Sequence, residues 1–204
     1  MSDGPIVLGL TGSIGMGKST AAGMLRQMGV AVFDADAVVH DLQAPGGRAV
    51  SAIARAFPDL VDKGVLDRAR LAKRAFETPD VLRRLEHILH PLVHEAETRF
   101  LRVAALGRRP LVVLDIPLLF ESGADRRCDH TLVVTAPPFV QAARVFKRPG
   151  MTPARFRAVL DKQMPDLEKR RRADFVVPTG AGRHYTRCVL REIIRQTRHP
   201  FGIR

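Results

Sequence analysis

From Gly12 to Ser19 the chain reads Gly-Ser-Ile-Gly-Met-Gly-Lys-Ser, a G-x-x-x-x-G-K-[ST] loop that follows directly on the apolar run Ile-Val-Leu-Gly-Leu at 6–10. No other feature constrains the fold as tightly, because this loop needs a buried strand before it and a helix after it. Both flanks are present, the helix-compatible one being Thr20 to Arg26. Glycine at 12, 15 and 17 removes the Cβ atoms that would bar close approach. Backbone N–H groups can then curl around a phosphate chain, with the positive end of the helix dipole added. Lys18 reaches the β- and γ-phosphates as a mobile point charge, and the Ser19 hydroxyl is placed to ligate the Mg²⁺ that bridges them. A dinucleotide fingerprint fits less well, since Gly15-Met16-Gly17 would require glycine at position 20 and meets Thr20.

A chain of 204 residues can bury a real core, and it suits one α/β folding unit with insertions. Its two cysteines, Cys128 and Cys188, have neither the number nor the spacing of a disulfide framework, a zinc site or a redox motif. A reducing, cytoplasmic setting is therefore expected. Asp3 stands where a secretory signal would carry basic residues, and no apolar stretch approaches membrane-spanning length, so no membrane partner is expected. Oligomeric state cannot be read at this level.

The formal net charge is +12, which raises the question of a polyanionic partner. Its distribution says more than its size. Between Arg144 and Arg172 ten basic residues face three acidic ones, so more than half of the excess sits in one seventh of the chain. A nucleic-acid groove pairs such charge with aromatic stacking platforms. Here there is no Trp, one Tyr, and only Phe146 and Phe156 within the basic segment, so no nucleic-acid partner is expected. A basic helical flap closing over a polyphosphate accounts for the charge at least as well, and a solvated basic surface remains the bland alternative.

Short, nearly continuous apolar runs at 6–10, 30–33, 111–114, 131–134 and 175–177 have the form of buried parallel strands. Five such strands make a doubly wound sheet. Between the second and third lie nearly eighty residues, 34–110, with helical patterning at 66–76 and 81–89 and no convincing strand. That is too long for a simple crossover, and it predicts a helical insertion that grips a second substrate, with turns at 45–47, 63–64 and 78–80. A second helical excursion is predicted from Thr152-Pro153, an N-cap followed by proline at the first helical position, to about Arg172.

In open parallel sheets the reacting groups lie beyond the carboxyl ends of the strands. After the second run come Asp34-Ala35-Asp36, whose two carboxylates point the same way if the segment is extended. One of them can take the proton of an attacking hydroxyl or hold a water of the Mg²⁺ shell; the alternative is a cap for the next helix, which suits Asp34 better than Asp36. After the third run, Asp115 has the form of a Walker-B strand end that supports Mg²⁺.

The loop Thr11–Thr20, the Asp34-Ala35-Asp36 triplet, Leu89-His90-Pro91-Leu92, Pro117-Leu118-Leu119-Phe120-Glu121 and the late Gln163, Lys169 and Ala173-Asp174 together resemble dephospho-CoA kinases, in order and spacing over nearly the whole chain. The resemblance implies ATP-dependent phosphorylation of the 3′-hydroxyl of dephospho-CoA, the last step of coenzyme A synthesis. It implies a P-loop NTPase three-layer α/β fold with a five-stranded parallel sheet, like the nucleoside monophosphate kinases. The nucleotide-binding core would comprise 1–35, 111–146 and 173–204, the helical substrate domain 36–110, and the helical lid 147–172. Carried over by position, Asp36 is the general base, and Lys18 and Arg144 stabilise the transferring phosphate. Gly12, Gly15, Met16, Gly17, Lys18, Ser19, Thr20 and the lid residue Arg148 bind ATP. Asp36, His90, Leu118, Leu119 and Glu121 face dephospho-CoA, and Ser19 and Asp115 serve Mg²⁺.

The chain departs from the family pattern in three places. Ser13 and Met16 occupy variable loop positions, Pro149-Gly150 follows Arg148, and Pro178-Thr179-Gly180 stands where an asparagine usually precedes glycine. The chain in fact contains no asparagine, which excludes the guanine reader of a GTPase and the catalytic-loop Asn of a protein kinase. The alternatives are a nucleoside or nucleotide kinase of related fold and, further off, an ATP-dependent nucleic-acid-binding protein.

Overall fold

The computed structural model describes residues 4–198. Asp3 and the tail 199–204, for which the sequence suggests no role, lie outside the described residues. The chain divides into two compact units, one formed by Met1–Phe33 with Val103–Arg204 and the other by Asp34–Arg102.

The first unit is built on a five-stranded sheet. Strand β1 (Ile6–Thr11) feeds the loop that opens α1 (Lys18–Gln27), and β2 (Ala31–Asp34) follows. In the second unit come α2 (Ala35–Leu42), α3 (Val50–Ala56), the short strands β3 (Val61–Asp62) and β4 (Val65–Leu66), α4 (Arg68–Glu77) and α5 (Pro79–Leu106), whose last residues belong to the first unit. The chain continues with β5 (Leu111–Asp115), β6 (His130–Thr135), α6 (Pro138–Phe146), α7 (Pro153–Leu160), α8 (Asp166–Arg172), β7 (Phe175–Pro178) and α9 (Arg183–Arg198). The strand order is β2-β5-β1-β6-β7, with β1 parallel to β5 and β6, and β6 parallel to β7. The five apolar runs are thus the five strands, each displaced by at most a residue or two.

The central strands are buried on both faces, as a parallel sheet between helical layers requires: every residue of β5 is buried, as are the last four of β1. Leu8, Leu10, Leu111, Val113, Leu132 and Val134 pack with Met24 and Leu25 of α1 and with Leu190 and Ile193 of α9. Each such fully buried aliphatic side chain contributes about 1.5–3 kcal/mol of transfer free energy. The second unit has its own core, in which Ile53, Phe57, Leu60, Leu71, Leu85 and Leu89 converge.

Three expectations change. The 34–110 stretch contains a small antiparallel hairpin, with Val61 opposite Leu66 and Asp62 opposite Val65. Its turn is the Lys63-Gly64 pair, both at positive φ, as a two-residue hairpin turn of this hand requires. Strands two residues long leave no periodicity to detect. The basic excursion after Thr152 is two helices rather than one. Thr152 does cap α7, accepting from the Arg155 N–H at 3.2 Å, but the helix ends at Leu160 and α8 starts after Pro165, which has no N–H to donate. Finally, Asp34 and Asp36 do not share an extended segment, since β2 ends at Asp34 and Ala35 begins α2.

Candidate active site

The phosphate loop follows β1 without a break. A Cβ on Gly12 would clash with Val134 Cγ2 and meet the Val134 carbonyl oxygen at 2.8 Å, so only glycine lets the loop leave the sheet at that point. Gly17 has φ +92° and precedes α1, and no side chain caps the helix it opens. The start of the helix is therefore uncapped by the chain's own side chains, at the positive end of the helix dipole. Ser19 and Thr20 are exposed there. The Lys18 ammonium lies 2.8 Å from Oδ1 of Asp115, the last residue of β5, whose side chain is 3 % exposed. The expected Walker-B carboxylate and the loop lysine are thus in direct contact, and a charge for phosphate is held at the base of the loop.

Arg144, on α6, is fastened to the loop through a residue that sequence reasoning marked only as a departure. Its Nη1 donates to Thr179 Oγ1 at 2.9 Å, its Nη2 donates to the Thr179 carbonyl at 2.8 Å, and Nη1 lies 3.4 Å from the Gly15 carbonyl. Thr179, buried just past β7, donates its hydroxyl to the Met16 carbonyl at 2.6 Å, and its N–H donates to the Thr135 carbonyl at 2.8 Å. The strand-end rule that drew attention to Asp36 and Asp115 applies equally to Thr179 and would have found it. Arg148, by contrast, is exposed in the turn that leaves α6, where the Met151 N–H donates to its carbonyl. Phe146 and Phe156, the two aromatic residues of the basic segment, pack edge to face on each other with centroids 5.7 Å apart.

The segment after β5 is tied to the loop by the Thr11 hydroxyl, which donates to the Pro117 carbonyl at 2.9 Å. Within it Leu118 is 41 % exposed while Leu119 is fully buried and supports the segment from below. Glu121 is not left open to a ligand: Oε1 accepts the Met164 N–H at 2.8 Å and lies 2.8 Å from the ammonium of Lys169, which is wholly buried on α8. That contact is an ion pair with poor hydrogen-bond geometry, and it leaves most of the ammonium's donor capacity unmet. Burial works to raise the Glu121 carboxyl, but Lys169 and the Met164 N–H outweigh it and hold the group below its ordinary value. One residue earlier, Gln163 Oε1 accepts the Ile14 N–H of the phosphate loop at 3.0 Å.

In the second unit, Asp34 caps α2, with Oδ1 accepting the Ala37 N–H at 3.0 Å. Asp36 is exposed in the first turn of the same helix. The capping role and the candidate base are thus divided between the two carboxylates. His90 is exposed on α5, immediately before Pro91, which lies inside the helix. Among the described residues no group of three or more His, Cys, Asp or Glu side chains is arranged to hold a metal, and no helix is long and apolar enough to cross a membrane.

The dephospho-CoA kinase family model matches residues 6–183. A dephospho-CoA kinase of Rhodospirillum rubrum is 53 % identical over 179 residues, which cover 87 % of this chain and 84 % of that one. The dephospho-CoA kinase of Rhizobium meliloti is 50 % identical over 193 residues, covering 95 % and 98 %. Among solved structures, the dephospho-CoA kinase from Campylobacter jejuni aligns with a TM-score of 0.71 over 95 % of this chain and 98 % of its own, at 22 % identity, a likeness of fold.

Proposed function

The chain belongs to the dephospho-CoA kinase family, and from that premise we propose how its residues carry out the ATP-dependent phosphorylation of dephospho-CoA that completes coenzyme A biosynthesis. The match over residues 6–183 is the observation that carries the activity, since it spans the phosphate loop, the strand ends and the basic segment together. The segments 1–35, 111–146 and 173–204 act as the nucleotide core, 36–110 as the acceptor domain and 147–172 as the lid.

Phosphoryl transfer asks little covalent chemistry of a protein, so positioning and charge carry most of the catalysis. Lys18 meets the transferring phosphate by exchanging its Asp115 partner for phosphate oxygens. Arg144 adds a second positive charge, and its anchoring by Thr179 and the Gly15 carbonyl supports that role because a fixed guanidinium needs no reorganisation during the reaction. Gly12, Gly15, Met16, Gly17, Ser19 and Thr20 form the cradle, and Arg148 reaches the nucleotide from the lid.

Asp36 accepts the proton of the attacking 3′-hydroxyl. Commitment of Asp34 to the helix cap supports this division of labour. His90 and the exposed Leu118 contribute to the acceptor surface, while Leu119 and Glu121 act from behind it by holding the segment in place.

Ser19 and Asp115 would hold Mg²⁺. A hydroxyl in the first turn of α1 and a carboxylate at the end of β5 are the oxygen donors that suit a hard cation taking its remaining ligands from water and substrate phosphates. When bound, the ion neutralises phosphate charge.

The decisive experiment is a coupled ADP-release assay with MgATP and dephospho-CoA, beside adenosine, AMP and uridine as acceptors. Stimulation by dephospho-CoA well above the others is expected, and equal stimulation by AMP would instead indicate a nucleotide kinase. Binding to single-stranded RNA weaker than micromolar at physiological salt is expected as well, since the mutual packing of Phe146 and Phe156 leaves few platforms for bases.

A further inference from the structure

Ile14, the third residue of the phosphate loop, has both of its backbone polar groups held by glutamine side chains. Its N–H donates to Gln163 Oε1 at 3.0 Å and its carbonyl accepts from Gln141 Nε2 at 2.8 Å. The pairing fixes the orientation of both amides, since a backbone N–H must meet the oxygen and a carbonyl the NH₂. Gln141 is buried on α6, and Gln163 lies half-buried in the stretch that separates α7 from α8.

The next residue extends the attachment. The Met164 N–H donates to Glu121, whose carboxylate also pairs with buried Lys169. Two consecutive residues at the root of the basic helices are therefore fastened, one to the phosphate loop and one to the segment after β5. An N–H engaged by a glutamine oxygen is withheld from phosphate, and the peptide that carries it cannot turn. The Ile14 N–H is thereby removed from the groups the loop can offer a ligand.

We propose that Gln163 is a positioning residue for the donor phosphates: it holds the Ser13–Ile14 peptide while Gln141 holds the Ile14–Gly15 peptide, and the two together clamp Ile14 and set the shape of the cradle before ATP arrives. Without the clamp the glycine-rich loop samples other peptide orientations, and binding must select the competent one, which lowers apparent nucleotide affinity by the fraction lost. Ile14 serves the donor side in this scheme, so binding of the acceptor is expected to be unchanged. The inference rests on the loop being the ATP site, and its test separates the two.

Full-length wild type, Gln163→Met, Gln141→Met and the double variant are compared by calorimetric binding of a non-hydrolysable ATP analogue with Mg²⁺, by steady-state kinetics in both substrates, and by thermal melting. Gln163→Met is expected to weaken nucleotide binding and raise KM for ATP about tenfold, the effect of about one hydrogen bond. KM for dephospho-CoA should stay within about twofold, and the melting temperature within about 2 °C. The double variant should lose less nucleotide affinity than the product of the single losses, because the two side chains hold the adjacent peptides on either side of one residue, Ile14. Unchanged nucleotide affinity in Gln163→Met would overturn the proposal, as would a fully multiplicative cycle, or a parallel rise in both KM values with a lowered melting temperature. Wild-type protein that binds the analogue but does not respond to dephospho-CoA would sink the kinase assignment and leave the clamp standing; wild type that binds no analogue would overturn both.

Discussion

The two units hold their polar side chains in different ways. In the first, contacts around the phosphate loop join residues far apart in the chain: Lys18 to Asp115, Ile14 to Gln163 and Thr179 to Met16, separated by 97, 149 and 163 residues. Most of these groups are buried or half-buried. In the second unit the side-chain pairs are superficial, as in Arg48 with Glu95 and Arg74 with Asp59. Buried, mutually satisfied groups resist reorientation, whereas exposed pairs in a high dielectric hold little in place. Preorganised charge therefore belongs to the first unit, the proposed donor side, and the second, the proposed acceptor side, relies on apolar packing.

Asp36→Asn probes the contrast most severely. Turnover should fall by about 10²–10⁴ while ATP affinity stays within about threefold, because the proposed base lies in the second unit and the proposed cradle in the first. A matching collapse of ATP binding would show that the division does not hold.

Glu121→Gln comes next. It leaves the Lys169 ammonium buried without its counter-charge, at a cost of about 3 kcal/mol, read as a lower denaturant midpoint at neutral pH. The effect has a sign in pH. Because the Glu121 carboxyl is held below its ordinary value of 4.5, its contribution is complete above that value and is lost as pH falls through the lower folded value. The stability curves of wild type and variant should converge toward acid. A gap that persists unchanged into strong acid would assign the destabilisation to something other than the charge pair.

Thr179→Val should be milder. The isosteric change removes the hydroxyl that links Arg144 to the Met16 carbonyl, and turnover should drop about tenfold, near 1–2 kcal/mol, with the melting temperature little altered. Wild-type kinetics would mean that the Thr179 carbonyl alone suffices to hold the guanidinium. The smallest effect is expected at Arg48→Met, where both partners are largely exposed: melting within about 2 °C of wild type and unchanged kinetics. A large loss there would erase the distinction between the two units.

Local features made much of this legible beforehand. The phosphate loop announces itself within eight residues, and each parallel strand is a short apolar run because both of its faces are buried. The Thr152-Pro153 pair marks a helix start, since capping is a matter of adjacent residues. The hairpin at 61–66 escaped because two-residue strands carry no period. The break between α7 and α8 escaped because helical patterning continues through 161–165, although Pro165 offered the signal. Asp34 as a cap was readable from its position, but its separation from Asp36 needed the knowledge that β2 ends there.

By itself, then, the sequence determined the phosphate loop, the five strands, the helical insertion and the family resemblance, all of which rest on residues close together or in a fixed order. Only the tertiary structure decided that Arg144 is anchored by Thr179, that Gln163 holds the Ile14 peptide, and that Glu121 pairs with Lys169 instead of standing open. The physical reason is the crossed strand order β2-β5-β1-β6-β7, which brings distant strand ends and loops together around the start of α1. Contacts across such separations follow from how the layers pack, and no local pattern of residue types encodes them.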